Sequence, residues 1–115
     1  MDTSQEHIVK DLVREFIQLI SQNNVSALSD TFGISTPIFA EIVEALDGYG
    51  IEMSEWQPPV FGQGRIENIF QMNDPKTLGV EVNLWAKGKP QEPILHAEVN
   101  FSTLPPVFYF KYIGS

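Results

Sequence analysis

The chain has 115 residues, a formal net charge of −8, 43% hydrophobic residues and no cysteine. This length and apolar content predict one domain with its own hydrophobic core. The absence of cysteine excludes disulfides, thiolate catalysis and zinc–thiolate sites. No apolar run approaches the ~20 residues of a membrane span. The first residues also lack the basic and apolar regions of a signal peptide, so we expect a cytoplasmic protein.

The N-terminal part predicts a long helix and a short one. Thr3-Ser4-Gln5-Glu6 is typical of a capping box, with the acid three residues after the hydroxyl. Apolar residues recur behind it at helical spacing, so a first helix is expected over about residues 4–22. Val25, Leu28 and Phe32 follow at spacings of three and four and predict a second helix that Gly33 closes.

A third helix is expected after Ser35. Ser35-Thr36-Pro37 combines a capping hydroxyl with a proline that suits the first turn. Gly48 or Gly50 is the expected end of this helix.

The C-terminal part predicts strands, because the apolar period changes to two after Gly50. Helices followed by strands with short connections are typical of an α+β fold. We expect two to three N-terminal helices on one face of a four- to five-stranded antiparallel meander sheet. The expected strands cover about residues 51–56, 65–72, 78–86, 94–101 and 107–113.

The charges are distributed unevenly along the chain. Between Arg14 and Arg65 there is no Lys or Arg, whereas the same stretch holds seven acids. Exposed helix faces carry acids for solubility alone, but natural surfaces usually intersperse both signs. A surface of one sign disfavours nucleic acid and anionic membranes and attracts a basic partner. The acids that we expect to contact such a partner are Glu41, Glu44, Asp47, Glu52 and Glu55.

Trp56 directly follows these acids and precedes Gln57-Pro58-Pro59. A partly exposed tryptophan beside carboxylates would suit the centre of a protein interface. The alternative is a tryptophan that covers the end of the sheet.

A second candidate site lies on the polar face of two predicted strands. If these strands pair, acid, amide, imidazole and indole groups meet on the surface away from the helices. They could bind a small ligand or exchange a proton with it. A solvated sheet face without a site is the alternative. The residues concerned are Glu81, Asn83, Trp85, His96, Glu98 and Asn100.

Other chemistries have little support in the sequence. His7 and His96 are the only histidines and lie far apart along the chain, so no metal site and no cofactor are expected. Gly62-Gln63-Gly64 lacks the further residues of a phosphate-binding loop. The aromatic last strand contributes only Lys111 as a base, which disfavours nucleic-acid binding.

Part of the chain resembles the NTF2-like proteins. The resemblance covers Phe16–Ile20, Asn24–Leu28 and Phe32, a long helix followed by an "ALxxxF"-like run. It implies helices on a curved sheet with a pocket for a small ligand, or a sheet that forms a dimer.

A longer segment, from about Leu12 to Ile113, resembles an uncharacterised family of small acidic bacterial proteins. The shared features are Tyr49-Gly50, Pro58-Pro59 and the strand ending Val82-Asn83-Leu84-Trp85. Proteins of this kind are similar to the immunity proteins of bacterial toxin systems. The resemblance implies a non-enzymatic protein that neutralises a basic, nuclease-type toxin by covering its active site.

The leading hypothesis is therefore an acidic protein-binding domain of the immunity type, without catalytic residues. The second hypothesis is an NTF2-like small-ligand binder or small enzyme with a cavity on the sheet. A homodimer through the exposed sheet face is a third alternative.

Overall fold

The computed structural model describes residues 2–114. Three helices come first, and a single 3-10 turn, Met53–Glu55, leads into a five-stranded antiparallel sheet. The predicted α+β fold, with its helices preceding the strands, is confirmed. No helix within residues 2–114 is long and apolar enough to cross a membrane. The elements are α1 (Thr3–Ser21), α2 (Val25–Phe32), α3 (Thr36–Asp47), β1 (Trp56–Gln57), β2 (Glu67–Gln71), β3 (Thr77–Ala86), β4 (Lys89–Asn100) and β5 (Val107–Gly114).

The cap of α1 differs from the sequence prediction. Asp2 is the N-cap, and its Oδ1 accepts hydrogen bonds from the backbone N–H of Ser4 at 2.8 Å and from its hydroxyl at 2.7 Å. The same hydrogen bonds lower the pKa of the Asp2 carboxyl, and the one from the Ser4 hydroxyl has the largest effect. The predicted capping box from Thr3 to Glu6 is therefore wrong, because the Asp2 carboxylate, one residue earlier, already caps the first turn through the amide of Ser4.

The caps of α2 and α3 follow the sequence more closely. Asn24 Oδ1 accepts from the N–H of Ala27 at the start of α2, and Ser35 Oγ accepts from the N–H of Ile38 at the start of α3. Gly33 ends α2 with φ of 65°, a left-handed conformation that glycine adopts without steric cost. Gly48 follows the last residue of α3.

β3 and β4 form the centre of the sheet. β5 pairs with β4 and forms one edge of the sheet. β1 and β2 both pair with β3, on the side away from β4. β3 and β4 are joined by Lys87-Gly88, and both residues have positive φ, as a tight hairpin turn requires. Register shifts at Asn83/Trp85 and at His96/Ala97 mark two bulges.

The core lies between the helices and the inner face of the sheet. Phe16 of α1 is fully buried and contacts Phe32 at 5.4 Å, Phe108 at 4.9 Å and Phe110 at 5.8 Å between ring centroids. These rings join α1, α2 and β5 in one apolar cluster. Burial of each such ring stabilises the fold by roughly 1.5–3 kcal/mol.

The first predicted strand, over about residues 51–56, is mostly wrong. Residues 53–55 form a 3-10 turn, and only Trp56 and Gln57 pair with β3. The N–H of Glu52 donates to Glu55 Oε1 at 3.1 Å and the N–H of Glu55 to the Glu52 carbonyl at 2.9 Å. These local hydrogen bonds replace a sheet ladder that the alternating pattern alone predicted.

Candidate functional site

The C-terminal part of α3 presents three carboxylates to solvent. Ile42 and Leu46 turn the apolar stripe of the helix into the core. Glu41, Glu44 and Asp47 follow one another at intervals of three on the opposite side and are all exposed. This arrangement is what helical periodicity predicts for an amphipathic surface helix.

Two more exposed carboxylates lie just beyond α3, in and before the 3-10 turn. Glu52 and Glu55 belong to this turn, whose hydrogen bonds hold both residues in place. We refer to Glu41, Glu44, Asp47, Glu52 and Glu55 as the acidic surface. The structure therefore places all five predicted carboxylates in solvent on two consecutive elements.

None of these carboxylates lies within 4.0 Å of a basic side chain of residues 2–114. The ion pairs of this part of the chain join Arg14 to Asp11, His96 to Glu81 and Lys111 to Glu98, all away from the acidic surface. The last turn of α3 also contains no base. The acidic surface and the negative end of the helix dipole therefore reinforce each other without compensation.

An open groove of about 640 Å³ runs beside the acidic surface. Its apolar lining comes from Val43, Leu46, Ile51 and Met53, and its polar lining includes Asp47 and Glu52. Asn23, two residues beyond the end of α1, also lines it. We refer to this feature as the acidic groove. It can accept an aliphatic chain that carries a positive charge, since apolar walls and carboxylates stand side by side.

Trp56 does not lie on this surface. Its side chain is only 1% exposed, and its ring meets Tyr49 edge-on at 6.3 Å between centroids. The predicted partly exposed anchor is therefore wrong, because pairing of Trp56 with Ala86 of β3 turns the indole into the core. Its N–H finds no hydrogen-bond partner within residues 2–114, so the ring contributes by apolar packing.

The second candidate site is only partly assembled on the outer face of the sheet. Glu81 faces His96 across β3 and β4, and Glu81 Oε2 lies 3.3 Å from His96 Nδ1. Tyr112 stacks on the imidazole with centroids 4.1 Å apart and ring planes at 13°. Glu98 is the neighbour of His96 on the same face and lies 3.7 Å from Lys111 Nζ. Glu81, His96 and Glu98 thus come together, and Asn100 lines the same face farther along, beside Glu98.

The other three residues have structural roles. Asn83 is buried; its Oδ1 accepts from the N–H of Ile66 and its amide donates to the Gln91 carbonyl, both at 2.8 Å. Trp85 is also buried, beyond the bulge in β3. The burial of Asn83 and Trp85 results from contacts with residues far along the chain, which the local sequence pattern does not predict.

Asn100 belongs to a turn network at the opposite end of the sheet. Its amide donates to Thr77 Oγ1 at 3.1 Å, and the Thr77 hydroxyl donates to Asp74 Oδ2 at 3.0 Å. The N–H of Lys76 donates to Asp74 Oδ1 at 3.0 Å. These hydrogen bonds hold the pKa of the exposed Asp74 carboxyl below its ordinary value of 3.8. The bond from the Lys76 N–H has the largest effect and the bond from Thr77 the second largest.

Sequence reasoning missed the side chains that complete the outer face. Tyr109 and Tyr112 of the edge strand β5 are 50% and 55% exposed and line this face. Phe70 of β2 covers Gly79 of β3 from the side. Alternation along β5 could have indicated Tyr109, whereas Tyr112 reaches this face only through the bulge at Lys111.

The described residues hold no group of three or more His, Asp or Glu side chains that could share a metal ion. Comparisons with protein-family models, curated proteins and solved structures find no match to this chain.

Proposed function

We propose that this chain is a non-enzymatic binding protein for a basic protein, with the acidic surface as its contact region. The observation that carries the proposal is the set of five exposed carboxylates that have no basic neighbour and border an apolar groove. A surface without a binding role would gain stability from interspersed Lys and Arg, because they relieve the repulsion between carboxylates. A surface that meets a basic partner gains from their absence.

The binding mechanism has an electrostatic step and a packing step. The negative field of the acidic surface, together with the uncompensated end of α3, accelerates encounter with a basic partner. A Lys or Arg side chain then places its aliphatic part along Val43 and Met53 and its charge beside Asp47 and Glu52. The packing step supplies specificity that charge alone does not.

The partner class that we propose is a basic nuclease-type toxin, with this chain as its immunity protein. Support comes from the net charge of −8 and from the resemblance to small acidic immunity proteins. A nuclease needs a basic cleft for the phosphate backbone of its substrate. Carboxylates that occupy such a cleft exclude the substrate by charge and by volume.

The test compares two variants of equal net charge as baits in a native lysate. The first replaces Glu44, Asp47, Glu52 and Glu55 by Gln or Asn, which removes charge but keeps hydrogen-bonding capacity. The second replaces Glu6, Asp11, Glu15 and Glu92 in the same way. We expect the native chain and the second variant to retain the same basic protein at low salt and release it at high salt.

The first variant should lose that protein, because affinity follows the location of the charges and not their sum. The retained protein is then purified, and its nuclease activity is measured with stoichiometric amounts of each bait. Inhibition by the native chain and the second variant only would support the immunity function. Equal retention by both variants, or retention of nothing, would contradict the binding proposal; retention without inhibition of a nuclease would contradict its toxin-specific part.

A further inference from the structure

The outer face of the sheet contains an elongated depression that the acidic surface does not reach. Two cavities, of about 440 and 150 Å³, share Met72, Glu98 and Lys111 and thus form one continuous feature. We refer to it as the outer trough. It crosses the sheet from the turn at Asp74 to the pair formed by Glu81 and His96.

Gly79 lines the trough and leaves room for the Phe70 ring. It occupies the middle of β3, where it pairs with Phe70 on one side and Glu98 on the other. A Cβ atom at this position would lie 2.5 Å from the Phe70 ring and 3.0 Å from Met72 Sδ. Glycine therefore lets these two side chains lean over the sheet and form one wall.

The bulge in β5 forms the opposite wall. Lys111 is the extra residue between Phe110, which pairs with Ala97, and Tyr112, which pairs with His96. Both Lys111 and Tyr112 consequently line the outer face. Tyr109, opposite Glu98, adds a second exposed ring to this wall.

The trough offers aromatic surface and hydrogen-bonding groups of both kinds. One face of the Tyr112 ring packs on His96, and more than half of its side chain remains exposed. Glu98 accepts hydrogen bonds and Lys111 donates them, and their mutual distance of 3.7 Å is too long for a hydrogen bond. These groups can therefore exchange water for a ligand that both donates and accepts.

The charges and the shape restrict the class of ligand. Glu81, Glu98 and Asp74 disfavour phosphorylated ligands. A basic peptide gains little from them, because each already has a partner within the chain: His96 for Glu81, Lys111 for Glu98, and the Lys76 N–H and Thr77 hydroxyl for Asp74. An open, elongated shape suits a chain of rings better than a compact molecule. A sugar ring has apolar C–H faces that pack on aromatic side chains and hydroxyl groups that both donate and accept. We propose that the outer trough binds a short neutral oligosaccharide.

The experiment is a titration of the ¹⁵N-labelled chain, followed by amide chemical shifts. The probes are maltotriose, cellotriose, xylotriose, mannotriose and triacetylchitotriose, each raised to millimolar concentration. We expect at least one of them to cause saturable shifts that centre on the amides of Glu98, Tyr109 and Tyr112. The amides of α3 should stay unchanged.

Matched variants separate ring stacking from other contacts. Replacement of Tyr109 and Tyr112 by Phe keeps both rings and should preserve most of the affinity. Replacement of Tyr112 by Ala removes one stacking surface and should weaken binding about tenfold. Glu98→Gln and Lys111→Met test the polar contacts without altering the rings, and the dispersion of the amide spectrum reports whether each variant is folded.

The variant with neutral residues at Glu44, Asp47, Glu52 and Glu55 should bind the saccharide like the native chain, which makes this proposal independent of the proposed function. Absence of saturable shifts with every probe would overturn the proposal. Saturation that is unaffected by Tyr112→Ala, Glu98→Gln and Lys111→Met would also overturn it. Trilysine that shifts the same amides more strongly than any sugar would identify a basic peptide as the occupant and reject the saccharide.

Discussion

At the scale of single residues, Gly79 determines how Phe70 packs on the outer face of the sheet. Replacement by Ala places a methyl group 2.5 Å from the Phe70 ring, so the ring must rotate away from β3. Because Phe70 is partly exposed, this movement is feasible. We expect Gly79→Ala to lower the free energy of unfolding by about 1 kcal/mol, since lost packing exceeds the gain in strand propensity. Urea unfolding measures this difference.

The control for Gly79 is the same substitution in a Phe70→Ala background. Without the ring, the nearest atom to the new methyl group is Met72 Sδ at 3.0 Å, the end of a flexible side chain. The substitution should then be neutral or stabilising, because glycine is entropically costly in a strand. Equal effects in both backgrounds would mean that Phe70 and Gly79 are not coupled.

Asp74 gives the turn before β3 a defined pH dependence. Hydrogen bonds from Lys76 and Thr77 lower its pKa in the folded chain, so the unfolded chain takes up a proton more readily. Its contribution to stability is complete above the ordinary value of 3.8 and disappears as pH falls through the lower, folded value. The urea midpoint of the native chain should therefore fall more steeply below pH 3.8 than that of Asp74→Asn. Parallel curves would show that this carboxylate does not contribute.

At the level of elements, α3 combines a favourable start with an unfavourable end. Ser35 and Pro37 suit its first turn, whereas Glu44 and Asp47 crowd the negative end of its dipole. We expect Glu44→Lys with Asp47→Lys to raise the free energy of unfolding by about 0.3–1 kcal/mol for each residue. Thermal unfolding at low salt measures the effect, because salt screens it.

A control of opposite sign is available in α1. Glu6 lies in the first turn of that helix, where a negative charge is favourable. Glu6→Gln should therefore destabilise the chain slightly, although it also removes one negative charge. If Glu6→Gln also stabilised the chain, relief of net charge and not the helix dipole would explain all three substitutions. A stabilising effect at α3 together with lost partner binding would indicate that α3 retains its acids for function.

The whole molecule separates its surfaces by charge and by composition. The five carboxylates of the acidic surface lie on α3 and the 3-10 turn, whereas the outer trough lies on the sheet and mixes aromatic rings with both signs of charge. Mutual repulsion of unpaired carboxylates should destabilise the free chain at low ionic strength. We therefore expect the melting temperature to rise between about 0.01 and 0.15 M NaCl, as screening shortens the Debye length from ~30 to ~8 Å.

The matched pair of variants from the partner experiment also tests this expectation. Neutral residues at Glu44, Asp47, Glu52 and Glu55 should reduce the salt dependence more than neutral residues at Glu6, Asp11, Glu15 and Glu92. Both variants have the same net charge, so a difference between them reports the surroundings of the removed charges, which for Asp11 include its ion pair with Arg14. Identical salt dependence would mean that only the net charge matters.

The sequence by itself determined the features that depend on neighbouring residues. Helical spacing and the caps Ser35 and Gly33 located the helices, because these signals act within one or two turns. Alternation located β3, β4 and β5, and the order of elements gave the α+β class. Exposure of Glu41, Glu44 and Asp47 followed from the apolar stripe of α3, whereas the 3-10 turn that exposes Glu52 and Glu55 was not predicted.

Only the tertiary structure decided where a side chain lies when its position depends on residues far along the chain. Pairing with β3 buried Trp56, and contacts with Ile66 and Gln91 turned Asn83 into a structural residue. The bulge at Lys111 brought Tyr112 onto the face of His96 and formed a wall of the outer trough. Sheet register and bulges arise from packing between segments far apart in the chain, so local periodicity cannot specify them.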